Sequence, residues 1–483
     1  MKFLLINPPI DYKKVFKPFA IKAEIPPLGL LYIASSLEEG GHDVEVIDFC
    51  AEEFSKAKLY KHLLSADAVC ITVRSQDVEV VSEIVRFIKS VDEYMPIIIG
   101  GPHCTLDPKY ALRQIPADIS VRGEGEEVMI EIADVLEGKR SLEDIEGICF
   151  REKKRIRCNQ GHREIRDLDS LPFPARHLVE KYSYGEVIEG YNPTRGKVAS
   201  IMMSRGCPYN CKYCINRGLF KSFRIRSAQS VVEEIKMLEG RYKFLHIVDE
   251  NFFVDMKRAV KVLDFLEKEV DFDIWISGIR VDVASDELFK KMRRAGVSTI
   301  CLGIESGNQD VLNFYNKQIT VEQAEKAVRL ARKWRFFTIG YFMLGAPIED
   351  EKHFIRTINF AKKLPLDSAS FSPLAYLKGS LLWEEAVREG KIKAHEYAVL
   401  ADSRRGLGKF TAEELWRWVI RAFKEFYLRP SYILDELIQS FIRWDFRLIK
   451  SGFNLLVRYP DNVLKMGEDE MLYRYGDAIR GTA

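Results

Sequence analysis

The sequence predicts an α/β protein made of two successive series of parallel strands and helices, followed by a helical C-terminal region. Three observations predict it. Short runs that are apolar throughout alternate with amphipathic stretches over residues 1 to 137, and again over residues 196 to 390. Glycine and proline gather at the carboxyl ends of those runs, where a strand must turn into a helix. From residue 391 to 483 the alternation stops, and aromatic and aliphatic residues recur at helical spacing.

In the first series the strands read as residues 3–7, 44–48, 68–73, 97–100 and 119–122. Helices fall near 28–39, 52–64, 77–90, 108–114 and 126–137. Strands without polar alternation are buried on both faces, so these five predict a parallel, doubly wound sheet of the flavodoxin or Rossmann type. Such sheets bind ligands beyond the carboxyl ends of their strands. The loops there are Asn7-Pro8-Pro9, Gly100-Gly101-Pro102-His103 and Arg122-Gly123-Glu124-Gly125-Glu126. They nominate Asn7, Pro8, Gly100, Gly101, His103, Gly123 and Glu124 as ligand contacts, glycine because it lets backbone approach a ligand closely.

Residues 138 to 195 read as a linker with short strands, a hairpin within 146–157 and an extended proline-rich piece at 167–174. The second series places strands at 198–203, 244–249, 274–277, 299–304, 337–344 and 368–371. Its helices fall near 228–239, 256–269, 285–295, 320–335 and 349–363, and Thr320 with Gln323 has capping-box spacing. In the tail, residues 415–428 and 432–456 form two apolar helical patterns with Arg interleaved. They predict a helical cap over the barrel mouth or, more sharply, an amphipathic surface that meets a membrane or admits a greasy substrate.

The chain has 483 residues, 47% hydrophobic and 30% charged, enough for several domains with a sizeable core. A net charge of +2 gives no nucleic-acid footprint. The N-terminus opens on a strand rather than a signal peptide, and no apolar run reaches the ~18 residues of a membrane span, so a cytoplasmic protein is expected. Nine cysteines are too few for a disulfide framework at this length. Cys50, Cys70, Cys104, Cys149, Cys158 and Cys301 read as small buried hydrophobes.

The other three, Cys207, Cys211 and Cys214, stand in Cys-Pro-Tyr-Asn-Cys-Lys-Tyr-Cys, with Tyr213 before the last. No further Cys or His follows within two dozen residues to close a tetrahedral zinc site. This Cys-x3-Cys-x2-Cys pattern resembles the signature of the radical S-adenosylmethionine (radical SAM) superfamily. The resemblance implies a partial (β/α)6 barrel whose three thiolates hold a [4Fe-4S] cluster with one open iron. It also implies SAM on that iron, cleaved to a 5'-deoxyadenosyl radical with an electron from a donor such as flavodoxin or ferredoxin. Asp249 and Glu250, after the second barrel strand, match positions that accept from the SAM amino group. Gly303, Glu305 and Ser306 resemble the family's Gly-x-Glu-Ser-Gly segment, and Arg280 is placed to meet the SAM carboxylate or to balance acids. Arg224 and Arg226 match an Arg-x-Arg often found in the family, and read equally well as surface cations.

The loops of the first sheet, with Ile25-Pro-Pro-Leu-Gly-Leu30, resemble the cobalamin-binding domain that precedes many radical SAM cores. One departure matters. The loop after the first strand, Pro9-Ile-Asp-Tyr-Lys-Lys14, lacks the His that ligates cobalt in many such domains. His103 is the remaining candidate, and cobalamin without a protein His ligand is the expectation. Together the resemblances imply a cobalamin-dependent radical SAM enzyme, foremost a C-methyltransferase acting on a small molecule, a hydrophobic one being compatible with the aromatic tail. A radical cyclase, oxidase or rearrangement enzyme is the alternative. A methylthiotransferase is disfavoured because the first loop carries no Cys, and a corrinoid and iron-sulfur carrier or sensor because the cluster is open.

Overall fold

The computed structural model describes residues 1–10, 25–153, 155–185, 196–446 and 448–450. The loop residues 11–14 and the end of the second tail pattern, 451–456, lie outside them. The described residues form two compact units, one of 1–10, 25–184 and 218–226, the other of 196–217 and 227–450.

The first unit is a seven-stranded sheet with strands β1 (Lys2–Asn7), β2 (Asp43–Asp48), β3 (Ala68–Thr72), β4 (Ile97–Gly100), β5 (Ile119–Val121), β6 (Ile148–Glu152) and β7 (Arg155–Cys158). Their order is β2-β1-β3-β4-β5-β6-β7. The first five are parallel, as their unbroken apolar runs require. Helices α1 (Leu28–Glu39), α2 (Lys56–Leu63), α3 (Val78–Val91), α4 (Pro102–Leu106), α5 (Pro108–Gln114) and α6 (Glu126–Leu136) connect them. The connections from β1 to β2 and from β3 to β4 run to opposite sides of β1 and β3, so the switch point lies between those two strands.

Two readings of this region are corrected. The hairpin assigned to the linker is β6–β7, which extends the sheet antiparallel to β5. Cys149 and Cys158 are not free thiols. They face each other across that hairpin with Cα atoms 4.0 Å apart and are joined by a disulfide.

The second unit opens with β8 (Val198–Ile201), followed by the two-residue strand β9 (Ser204–Arg205) and the short helix α7 (Asn216–Leu219). The residues of β10 (Arg224–Ile225) belong to the first unit. The barrel strands are β8, β11 (Phe244–Ile247), β12 (Asp273–Ile279), β13 (Val297–Glu305), β14 (Phe337–Leu344) and β15 (Ser368–Pro373). All pair in parallel with sequential neighbours. Helices α8 (Ala228–Leu238), α9 (Met256–Glu269), α10 (Asp286–Arg294), α11 (Gln309–Phe314), α12 (Val321–Lys333) and α13 (Glu351–Lys363) intervene. Alternate strand residues such as Ile247, Ile276, Leu302 and Phe342 join them in one core. The Thr320–Gln323 capping box forms at the start of α12, worth about 1 kcal/mol.

The tail adds α14 (Leu381–Arg388), the hairpin β16 (Ala375–Leu377) with β17 (Ala398–Leu400), α15 (Ala412–Tyr427) and α16 (Pro430–Arg443). Helix α15 packs Phe423 and Phe426 on Phe371 of β15, taking the place of the helix after the sixth strand. The second tail pattern breaks at Trp444, whose left-handed backbone (φ 51°) ends α16. Among the described residues, no helix is long and apolar enough to cross a membrane.

Candidate active site

Chemistry-bearing residues gather at the carboxyl ends of the barrel strands, where parallel strands open onto loops. The loop after β8 carries Cys207, Cys211 and Cys214, and backbone contacts fix its path. The Cys214 amide donates to the Cys211 carbonyl (3.0 Å), the Lys212 amide to the Tyr315 carbonyl (2.9 Å), and the Leu382 amide to the Lys212 carbonyl (3.0 Å). Burial pushes the Cys207 and Cys214 thiols up, and neighbouring Cys211 raises both further. Thiolates so disfavoured in the bare loop need a cation to hold them. The donor set is sulfur alone, as an iron-sulfur cluster requires. Among the described residues, no three His, Cys, Asp or Glu converge on one ion site. A cubane takes one thiolate per iron, so its ligands need not meet at a point.

Tyr213, inside this loop, donates to Glu305 Oε1 (2.9 Å). Lys317 Nζ donates to the same oxygen (2.6 Å) and to the Tyr213 hydroxyl (3.1 Å). Glu305 ends β13 in the left-handed region (φ 66°), a conformation that costs a non-glycine residue of order 1 kcal/mol and persists where its surroundings enforce it. Its other oxygen has no hydrogen-bond partner among the described residues. A Cβ at Gly303 would stand 2.9 Å from both Glu305 Oε1 and Lys317 Nζ, so glycine leaves room for the pair. Lys317 escaped the sequence reading because a lysine in a polar turn, Asn316-Lys317-Gln318, reads as solvated.

Arg280 holds that turn. It donates to the carbonyls of Lys317 (3.0 Å) and Gln318 (3.1 Å), pairs with Asp282 (2.9 Å), and lies 3.7 Å over the ring of Tyr209 in the cluster loop. These contacts match the second of its two predicted roles, balancing acids. Asp249 is likewise occupied. Buried after β11, it accepts from the Met203 amide (2.7 Å) and the Ser204 hydroxyl and pairs with Arg258, fixing the entry to the cluster loop. Ser306 turns away from the site, into a buried network with Thr357 (3.1 Å) and Asn308.

Glu250 differs from its neighbour. Its side chain is exposed although protein crowds it, the signature of a residue lining a concave surface. Desolvation by that protein pushes its carboxyl up to about 7, a position a nearby ammonium would reverse. The Oδ1 of adjacent Asn251 is buried and without a partner among the described residues. Both acceptors fit the SAM amino group. Gly278, which the sequence reading missed, presses β12 against this turn. A Cβ there would lie 2.2 Å from the Asp249 carbonyl oxygen.

In the first unit, Asn7, Pro8, Gly100, Gly101, His103, Gly123 and Glu124 all lie at the carboxyl edge of the sheet. Asn7 donates to Asp48 Oδ1 (2.8 Å), which Tyr184 also reaches through Oδ2 (2.8 Å). The Pro8 carbonyl accepts from the Cys50 thiol (3.2 Å). Gly101, after Gly100, has φ 95° and starts α4, and the Gly123 amide donates to the Thr105 hydroxyl (3.2 Å). His103 is buried, with Nδ1 at 3.2 Å from Ser75 Oγ and Nε2 at 3.0 Å from Gln114 Oε1. Both ring nitrogens therefore have partners within this unit. Glu124 is also committed elsewhere, gripped by Arg224 (2.7 and 2.8 Å) and the Ile165 amide (2.6 Å). Arg226 is buried and the Arg224 side chain is 9% exposed, so neither is a surface cation. Asp77 Oδ1, buried just beyond β3, has no partner among the described residues. An acceptor left open at this edge fits the amide donors of a corrin ring.

Comparisons with known proteins bear on these sites. The Radical SAM superfamily model matches residues 201–361 and the B12 binding domain model residues 19–133. The chain is 32% identical over 455 residues to an uncharacterized methyltransferase of Pyrococcus horikoshii, covering 91% of this chain and 95% of that protein. It is 28% identical over 422 residues to the anaerobic magnesium-protoporphyrin IX monomethyl ester cyclase of Cereibacter sphaeroides, covering 84% of this chain and 68% of the cyclase. Its fold is similar to that of the cobalamin-dependent S-adenosylmethionine radical enzyme OxsB, solved with aqua-cobalamin and S-adenosylmethionine bound. The TM-score is 0.69 at 17% identity, over 99% of this chain and 78% of that one.

Proposed function

The chain belongs to the radical SAM superfamily proteins that carry a B12-binding domain, and from that premise we propose that it methylates an unactivated carbon of a small molecule. Its cofactors are a [4Fe-4S] cluster, SAM and cobalamin, as in the related B12-binding radical SAM proteins. When bound, the cluster supplies the electron that cleaves SAM and the corrinoid carries the methyl group.

The observation that carries the methyl-transfer reading is His103. Both its ring nitrogens are bonded within its own unit, which supports a corrinoid that would be held without a protein imidazole ligand. A weak lower ligand favours giving up a methyl group to a carbon radical rather than to a nucleophile. The near full-length likeness to an uncharacterized methyltransferase supports the same reading.

The protein's own residues then bind and orient. Cys207, Cys211 and Cys214 hold the cluster. Glu250 and Asn251 accept from the SAM amino group. Glu305, its Oε1 fixed by Tyr213 and Lys317, offers its second oxygen to SAM hydroxyls. Arg280 and Asp249 brace the loops that present these groups, and the glycines after β4 and β5 give the corrinoid close access to backbone. No residue is needed as a general base, since hydrogen-atom abstraction removes proton and electron together.

The likeness to the cyclase favours a second reading, radical chemistry without methyl transfer. The products separate the two. Protein loaded with iron, sulfide and cobalamin, given SAM, a reductant and a metabolite extract, yields both 5'-deoxyadenosine and S-adenosylhomocysteine if it methylates. Formation of 5'-deoxyadenosine with no S-adenosylhomocysteine refutes methylation.

A further inference from the structure

The helix α16 is built inside out. Tyr432, Glu436, Gln439 and Ser440 are buried against the protein, whereas Ile433, Leu434, Leu437, Ile438, Phe441 and Ile442 are 39% to 62% exposed. Trp444, at the C-terminal end, is 81% exposed. The inward polar face is well supplied. Arg443 and Arg332 reach Asp367 (2.5 and 3.2 Å), Arg332 also pairs with Asp435, and the Tyr432 hydroxyl donates to the Asp367 carbonyl (2.6 Å). Burial pushes the Glu436 carboxyl up to about 9. Of the ionisable groups on α16, Glu436 and Arg443 face the protein, while Asp435, at the margin of the outward face and 42% exposed, is paired with Arg332, so the outward face itself is apolar.

We propose that α16 is a lipid-docking helix that lays this face into the surface of a bilayer. The charge distribution argues for it, because the one exposed ion, Asp435, sits at the margin of the face and is paired with Arg332, so it can stay at the headgroup level while the apolar side chains enter the acyl boundary. A second copy of the chain fits less well. A 14-residue helix is ~21 Å long and ~10 Å wide, so pairing two of them buries well under ~1,000 Å² in total, short of the ~1,200–2,000 Å² of a stable interface. A bilayer sets no such threshold, since each aliphatic side chain that sinks into it is stabilised separately. Trp444, with an apolar ring and a polar N–H at the edge of the face, suits the headgroup level. The inference stands apart from the methyl-transfer reading, being drawn from a face on which no candidate active-site residue lies.

The test is flotation of the full chain, loaded with iron, sulfide and cobalamin, with vesicles of phosphatidylcholine alone or mixed with phosphatidylglycerol. The protein is expected to float with both and to keep floating at high salt. The double variant Leu434→Glu, Ile438→Glu is expected to partition about tenfold less or weaker still, with circular dichroism and corrinoid content unchanged. Tryptophan emission should shift to the blue on vesicles and lose most of that shift in Trp444→Phe. Three results would overturn the proposal. One is a wild-type protein that stays at the bottom with both lipids. Another is binding only to anionic lipid that salt abolishes. The third is a wild-type dimer that the double variant dissociates, which would assign the face to a second copy.

Discussion

Replacing Arg280 by Met removes a guanidinium that makes four separate contacts, and the structure sets the size of the loss. Two hydrogen bonds to the Lys317 and Gln318 carbonyls come from a charged, buried donor and are worth roughly 1.5–3 kcal/mol each. Stacking on Tyr209 adds about 1 kcal/mol. Asp282 is partly exposed, so its pair is discounted to well under 1 kcal/mol. Because one group makes all of these contacts and water can replace some, the expected net loss is about 3–5 kcal/mol, confined to the turn and the cluster loop. The turn has reason to spring open, since Asn316 and Gln318 on either side of Lys317 hold positive φ of 52° and 57°. Lys317 then no longer fixes Glu305. SAM affinity, measured by equilibrium dialysis on reconstituted protein, should fall at least ~tenfold. Lys317→Met should lower it similarly. The double variant should be little worse than either single one, because both changes break the same support. Losses that add would refute this account and make Arg280 a direct SAM contact. SAM affinity and iron content within twofold of wild type in Arg280→Met would refute the bracing role altogether.

Other outcomes follow from individual side chains. Burial raises the Glu349 carboxyl from 4.5 to about 7 although the Gly345 and Ala346 amides donate to it. The folded protein therefore binds more protons than the unfolded chain between pH 4.5 and 7. Stability should fall across that window as pH rises, by up to about 3 kcal/mol, and Glu349→Gln should flatten the melting profile there. Glu124→Ala leaves the largely buried Arg224 with the Ile165 carbonyl (2.6 Å) and the longer contact to Glu164, its charge no longer balanced at close range, and should lower the denaturation midpoint of the first unit by a loss of about 3 kcal/mol. Gly278→Ala drives a methyl group into the Asp249 carbonyl, so the turn must shift, costing about 1–3 kcal/mol and slowing 5'-deoxyadenosine formation more than it lowers the melting temperature.

What the sequence revealed of the fold and site follows the range of the interactions. The strands β1 to β5 and the six barrel strands are local, mostly apolar runs, many of them ended by glycine or proline, and they stand within a few residues of where periodicity puts them. The hairpin β6–β7 did not declare its partner. Its short polar strand, Arg-Ile-Arg-Cys, gains a place in the sheet only by pairing with β6, which pairs in turn with distant β5. In the site, Glu305 was legible because a carboxylate directly after an apolar strand needs a reason to be there. Lys317, twelve residues on in the chain, supplies part of that reason and carries no local mark. Arg224 misled in the same way, since nothing beside it announces that Glu124, a hundred residues earlier, will bury it. For α16, periodicity identified an apolar stripe. It does not say which way the stripe faces, and the ion pairs to Asp367 turn it outward.

The central claim is that one chain holds a corrinoid in its first unit and an iron-sulfur cluster in its second. It is tested most directly by measuring corrinoid by mass spectrometry, and iron, per chain in anaerobically purified protein and in Cys207→Ala. The account predicts near one corrinoid and about four irons for the wild type, with the variant losing the iron and keeping the corrinoid. A wild-type protein that carries its iron but no corrinoid would contradict it.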